Sequence, residues 1–261
     1  RFEGERLPRM AELSRQIEAL LIDTPDEVER HTLRESFNFL RSILKTNYFM
    51  ISKGALSFRI DPQALNKQYY PDSPFGIFFM IGRDFRGFQV RYRDIARGGV
   101  RVVMPRSTAD FDNALAGLFD EVNGLASAQQ LKNKDIPEGG SKCIALIQPG
   151  GDATVAVKQV VDGLLDLILP ADQVPEVIGP HGAPRGQDLI FLGPDENMTP
   201  ERILWVANRA RERGLPHAET LMSSKPGAGI NHKDYGVTSE GLFRWINLVL
   251  PMVGLGEKQP Y

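Results

Sequence analysis

Between residues 107 and 213 the spacing of apolar side chains switches period four times, which constrains the fold more than any other feature. Ser107 opens a helix in which Phe111, Leu115, Leu118, Phe119, Val122, Leu125 and Ala126 share one stripe, ending near Lys132. Cys143-Ile-Ala-Leu-Ile147 reads as a strand, 153–169 as a helix, and Asp188-Leu-Ile-Phe-Leu192 as a buried strand. Thr199-Pro-Glu starts a further helix through Arg213, stopped by Gly214 where a left-handed cap is wanted. Strands alternating with helices specify an α/β fold with a partly parallel sheet.

Upstream the pattern differs. Residues 57–60, 77–81, 88–92 and 99–103 read as strands separated by Pro, Gly and Asp turns, so this part of the sheet is expected to be more antiparallel. The first fifty residues read as helical. Thr24-Pro25-Asp26-Glu27 is a capping signature with the Thr24 hydroxyl as cap, and Val28, Leu33, Phe37, Leu40 and Leu44 mark one helix face. The expected fold is therefore a mixed sheet flanked by helices, with an N-terminal helical segment and one principal domain.

Composition removes several functions. With 261 residues and 42% hydrophobic content the chain can bury a full core, and 31 Lys+Arg against 33 Asp+Glu leave a net charge of -2. No global field steers it to nucleic acid or an anionic membrane, so any cation cluster acts locally. Apolar runs such as Gly76-Ile-Phe-Phe-Met-Ile81 fall well short of the roughly 20 residues that a membrane helix needs. The start lacks a signal-peptide core, and Cys143 as sole cysteine permits no internal disulfide, which suits a reducing, cytoplasmic setting. His31, His181, His217 and His232 are scattered and no HExxH or CxxC occurs, so no metal site is expected. Gly-x-Ser-x-Gly and Walker loops are absent too, and Gly227-Ala-Gly229 and Gly254-Leu-Gly256 lack the third glycine of a dinucleotide fingerprint.

Four segments lie at strand ends, where α/β folds gather ligands: 96–101 with Arg97 beside Gly98 and Gly99, KNKDIPEGGSK at 132–142, 191–197 with Asp195, and 223–232. Each alone has a plain structural reading: solvated cations at a helix C-terminus, an ordinary turn, acids at a helix entry. Together, a glycine-flanked cation, two lysines ten residues apart and a strand-end aspartate suit a small dicarboxylate. A lysine crowded by other cations is driven toward neutrality and could act as a base, while an aspartate among Leu192, Pro194 and Met198 is driven toward protonation.

At IARGGVR (95–101), FDEVNGLASAQQLKNKDIPEGGSK (119–142), FLGPDENMT (191–199) and SKPGAGINHKDYGVTSEG (224–241) the chain resembles the large NAD-specific glutamate dehydrogenases. The second motif is long and highly specific, and their order matches the substrate, or dimerisation, domain of the wider superfamily. The resemblance implies that Lys142 is the catalytic lysine activating water, that Lys132 binds the substrate α-carboxylate, and that Asp195 relays a proton at the substrate nitrogen. It further implies that Thr238 lies near the nicotinamide amide and that Arg97, with Gly98 and Gly99, binds the distal carboxylate. The hexameric enzymes carry a lysine where Arg97 stands, so the charge is kept but presented as a flat fork. Cys143 is a second departure, since glycine commonly follows the catalytic lysine.

The implied reaction is reversible oxidative deamination of L-glutamate to 2-oxoglutarate and ammonia with NAD, in a homo-oligomer. The division implied is 1–50 N-terminal helical segment, 51–250 substrate-binding domain, and 251–261 leading into a nucleotide-binding Rossmann domain absent from this chain. A start at arginine fits a piece of a longer chain, expected to be inactive alone. The alternatives are a dehydrogenase for another amino acid, which a cation at 97 disfavours, and a non-catalytic module that binds an anion or supplies oligomer contacts.

Overall fold

The computed structural model describes residues 10–170, 172–175, 177, 188–225 and 234–255. Two helices, α1 (Met10–Ile22) and α2 (Glu27–Arg41), precede β1 (Ile43–Thr46), β2 (Leu56–Ile60), β3 (Gly76–Ile81), β4 (Phe85–Arg91) and β5 (Ile95–Val103). Then follow α3 (Thr108–Ala116), α4 (Leu118–Gln130), β6 (Gly139–Ile147), α5 (Ala153–Ile168), β7 (Leu189–Pro194), α6 (Pro200–Glu212) and α7 (Val237–Met252). The strands form one seven-stranded sheet in the order β1-β2-β3-β4-β6-β5-β7. Pairings from β1 through β4 to β6 are antiparallel, and β5 is parallel to both β6 and β7. The mixed sheet therefore has its parallel part where strands and helices alternate in sequence.

All nine residues of β6 are buried. Its side chains alternate: Cys143, Ala145 and Ile147 enter a core with α5 and α6, while Ile144 and Leu146 enter a second core with Phe111, Leu118, Val122 and Ala126 of α3 and α4. Burying an aliphatic side chain of this size contributes about 1.5–3 kcal/mol, so the apolar run Cys143–Ile147, whose side chains go to both faces, is suited to a place between two helical layers. Sequestration pushes the Cys143 thiol up to about 12, with Lys142 opposing the shift.

A buried ion cluster closes one end of the α5 face. Arg59 Nη1 lies 2.5 Å from Asp188 Oδ2 and Arg91 Nε lies 3.8 Å from Asp188 Oδ1, with the side chains of Arg59, Arg91 and Asp188 only 5%, 0% and 2% exposed. Arg91 also donates to the carbonyls of Arg93 at 2.9 Å and Leu189 at 3.0 Å, tying β4 to the entry of β7.

The sequence differs from the structure in four local ways. The long helix from Ser107 is two helices meeting at Gly117, a residue that weakens helix interiors; Ser107 does cap the first, accepting from Asp110 N–H. The α2 cap is Asp26, which accepts from Glu29 N–H at 2.7 Å, while the Thr24 hydroxyl donates to Leu20 O at the end of α1. β1 occupies residues assigned to the helical segment, so Leu44 lies in a strand. The α2 stripe finds no core: Val28 is 75% and Leu40 63% exposed, and the helix attaches through Phe39, whose ring meets Phe58 edge-on at 5.3 Å. Among the described residues no helix is long and apolar enough to cross a membrane.

Candidate functional site

On β5 the alternation sends Val100 and Val102 into the α5-side core, with buried Ala96 on the same face, so Arg97, Gly99 and Arg101 project toward the α4 side. On β6, with Cys143 committed to the α5 side, Gly140 and Lys142 face the α4 side. On β7, Ile190 and Leu192 are in the α5-side core, so Phe191, Gly193 and then Asp195 share the face of Arg97. The register sets Arg97 beside Gly140 and Phe191, and Gly99 beside Gly193. Charged side chains thus surround two neighbouring positions that have none.

The glycines serve different ends. A β-carbon on Gly98 would sit 1.6 Å from Ser141 O, so only glycine lets β5 lie this close to β6. On Gly99 it would stand 3.0 Å from Asp195 Oδ2 and 3.2 Å from Lys142 Nζ, so this glycine makes room for two side chains that meet above it. On Gly140 it would stand 2.1 Å from Gln130 N; α4 lies flat on the start of β6, and Gln130 Oε1 accepts from Gly140 N–H at 2.8 Å.

Lys142 Nζ donates to Asp195 Oδ2, the lysine side chain being 9% and the aspartate 35% exposed. Burial raises the Asp195 carboxyl, but the hydrogen bond and charge of Lys142, the charge of Arg101 and the Glu196 N–H outweigh it and hold it below the ordinary aspartate value. Two expectations are corrected here. Asp195 is held ionised, because Leu192 and Pro194 turn to the opposite face while cations arrive from β5 and β6. The group touching Lys142 is a carboxylate, whereas crowding by cations was expected.

The backbone fixes Asp195 firmly. Its N–H donates to Val100 O at 3.1 Å, Val102 N–H donates to Glu196 O at 3.0 Å, and Asn197 Nδ2 donates to Val102 O at 2.8 Å. Asn197 adopts φ 59°, the left-handed region that Asn tolerates best after Gly. Arg101 stands alongside, with Nη1 donating to Glu121 Oε1 at 3.1 Å and Nε lying 3.7 Å from both Asp195 Oδ2 and Glu196 Oε2.

Arg97 lies one strand step from Gly99, 47% exposed, with Nε 2.9 Å from Glu138 Oε1; Lys134 Nζ lies 3.4 Å from the same oxygen. Lys132 follows α4 in the exposed loop, two residues beyond the Gln130 that binds Gly140. Thr238 is the second residue of α7, exposed, and its hydroxyl makes no hydrogen bond among the described residues. Gly227, Gly229, His181 and His232 lie outside the described residues. The structure thus joins Lys142 and Asp195 above Gly99, with Gly98 and Arg97 alongside on β5; among the described residues no hydrogen bond or ion pair links Lys132 or Thr238 to them.

Sequence reasoning missed Arg101 and Glu138 as site residues. Arg101 was legible, since period-two alternation from Arg97 and Gly99 leads to it. Glu138 was not, because nothing local says that the turn 135–138 folds against β5.

Among the described residues, the turn between β6 and α5 offers no cradle for a dinucleotide's phosphates. The strand-turn-helix from β6 through Gly150 and Gly151 to α5 has its helix N-terminus filled by Asp152, which accepts from Thr154 and Val155 N–H at 2.7 and 3.1 Å. Those two hydrogen bonds hold its carboxyl below the usual value, and a carboxylate there repels an anion.

Residues 16–167 match the family described as bacterial NAD-glutamate dehydrogenase, catalytic domain. The chain is 40% identical over 246 residues to the NAD-specific glutamate dehydrogenase of Saccharomyces cerevisiae, covering 92% of this chain and 22% of that protein. It is 38% identical over 236 residues to glutamate dehydrogenase 2 of Dictyostelium discoideum, covering 89% and 22%. A solved hetero-hexameric glutamate dehydrogenase from Thermus thermophilus in a leucine-bound form aligns with TM-score 0.43 at 21% identity, over 66% of this chain and 37% of that one. The chain spans about a fifth of the length of the curated relatives it matches.

Proposed function

Because the chain belongs to the bacterial NAD-glutamate dehydrogenase catalytic domain family, we propose that it forms the substrate-binding part of an enzyme that reversibly converts L-glutamate to 2-oxoglutarate and ammonia. The observation that carries this reading is the contact of Lys142 with Asp195 above Gly99, beside a guanidinium, at the parallel end of the sheet.

In this reading Arg97 takes the distal carboxylate and Lys132 the α-carboxylate, which brings the substrate nitrogen toward the Lys142–Asp195 pair above Gly99. An ionised Asp195 attracts the substrate ammonium, and the incoming cation competes with Lys142 for the carboxylate. Lys142, freed from its anion, can then serve as base toward water at Cα. NAD supplies the hydride acceptor when bound. Since Asp152 fills the one glycine-bearing strand-turn-helix described, its phosphates are assigned to parts of the enzyme outside this chain, and Thr238 alone is proposed as a contact near the nicotinamide.

The enzyme is proposed to work in the cytoplasm as a homo-oligomer. Leu242 at 61%, Phe243 at 60%, Trp245 at 68% and Met252 at 82% exposure on α7 support an interface there, since apolar patches of this kind mark contact surfaces. The test is Lys142→Ala in the full-length enzyme. A base should cost kcat about 10²–10⁴-fold, whereas unchanged turnover with altered regulation would identify a non-catalytic module.

A further inference from the structure

Arg101 has an unusual surplus. Its Nε is buried and, among the described residues, without a hydrogen-bond partner, although it lies 3.7 Å from Asp195 Oδ2 and 3.7 Å from Glu196 Oε2. Leaving a buried donor of a charged group unsatisfied is costly, so such an atom calls for a role. Its surroundings narrow the choice. Nη1 is anchored on Glu121 of α4, which holds the guanidinium against the sheet, and Asp195 is held opposite by the backbone bonds of residues 195–197. The carboxylate oxygen nearest Nε is the one that accepts from Lys142.

We propose that Arg101 is a positioning residue, and that its Nε–H is a second seat for the Asp195 carboxylate, occupied whenever Lys142 is neutral or engaged elsewhere. The inference rests on the reading of Lys142 and Asp195 given above. A base must spend part of each cycle uncharged, and at that moment a partly buried carboxylate beside it loses one of its stabilising cations and is pushed toward taking up a proton. Arg101 prevents this, because a guanidinium stays charged throughout the working pH range. It keeps Asp195 ionised and in place without touching substrate. Among the described residues the charged groups facing Asp195 are Lys142 from β6, Arg101 from β5 and Glu196 beside it, with Glu121 of α4 reaching it only through Arg101.

The test is the pH profile of kcat/KM in the full-length enzyme. Arg101→Met removes the charge, and the acid limb should move up by about one pH unit, as for an opposite charge within a few ångströms. Arg101→Lys should restore most of the shift, and KM for 2-oxoglutarate should stay within about twofold in both, since Arg101 makes no substrate contact in this account. Glu121→Gln covers the case in which Arg101 variants fail to fold. It removes a competing carboxylate at the rim, leaves Arg101 to Asp195, and should move the limb the opposite way, to lower pH. An acid limb unmoved by Arg101→Met, or moved upward by Glu121→Gln, overturns the proposal. Asp195→Asn separates this from the parent reading: full activity in that variant defeats the reading itself, whereas an inactive Asp195→Asn with an unmoved limb in Arg101→Met defeats only the role of Arg101.

Discussion

Adding one methyl group at either of two adjacent glycines separates folding from chemistry. A β-carbon on Gly99 meets Asp195 Oδ2 at 3.0 Å and Lys142 Nζ at 3.2 Å, about half an ångström inside the roughly 3.5 Å of a comfortable non-bonded contact. Both neighbours are side-chain ends that can yield, so Gly99→Ala should cost about 1 kcal/mol of stability, the low end for overpacking. The yielding, however, displaces the two groups proposed to act together. Since misplacement by about 1 Å can cost about 10²-fold, half that should lower kcat roughly tenfold or more. At Gly98 the obstacle is Ser141 O at 1.6 Å, which is backbone and cannot turn aside, so Gly98→Ala must part β5 from β6. Thermal melting and NAD reduction with glutamate, both on the full-length enzyme, distinguish the two. The expected pattern is a folded, crippled Gly99→Ala and a misfolded Gly98→Ala. A Gly99→Ala enzyme with kcat within twofold of the parent, or a Gly98→Ala enzyme of parental melting temperature, refutes the reasoning.

Further outcomes follow from single features. Asp188→Asn leaves Arg59 and Arg91 without their buried counter-ion and should cost about 3–5 kcal/mol in urea titration; a loss below about 1 kcal/mol would show the cluster to be dispensable. Cys143, buried with its thiol near 12, should resist iodoacetamide at pH 8 until the protein unfolds, and rapid alkylation of the native enzyme would contradict its placement. Because Asp195 titrates below its unfolded value, its ion pairing stabilises the fold above the ordinary aspartate pKa, and this is lost as pH falls through the folded value. Asp195→Asn should therefore flatten the acid side of a melting-temperature profile, and an unchanged slope counts against the pairing. Purified alone, the 261-residue chain should reduce no NAD with glutamate, and measurable turnover would show that the phosphate site lies within it.

What the sequence made legible was local and periodic. β3 to β7, the α3–α4 stripe and α5 and α6 follow from apolar spacing, and Ser107, Thr199 and Gly214 mark helix ends where the structure has them. β1 escaped because Ile-Leu-Lys-Thr directly continues a helical pattern and its pairing is with Phe58, Arg59 and Ile60 of β2. At the site, chain neighbours misled about Asp195: Leu192 and Pro194 are near in sequence but point through the sheet, while the groups setting its charge come from fifty-three residues away at Lys142 and from Arg101 across the β5–β7 pairing. Glu138 beside Arg97 likewise depends on strand register, which no local pattern encodes.

The central claim is that Lys142 and Asp195 operate as one unit above Gly99, and a double-mutant cycle on kcat in the full-length enzyme tests it most directly. Lys142→Ala and Asp195→Asn should each be severely slowed, and the double variant should be no slower than the worse single one, because either change already disables the pair. Losses that multiply would mean the two residues contribute independently and would contradict the account.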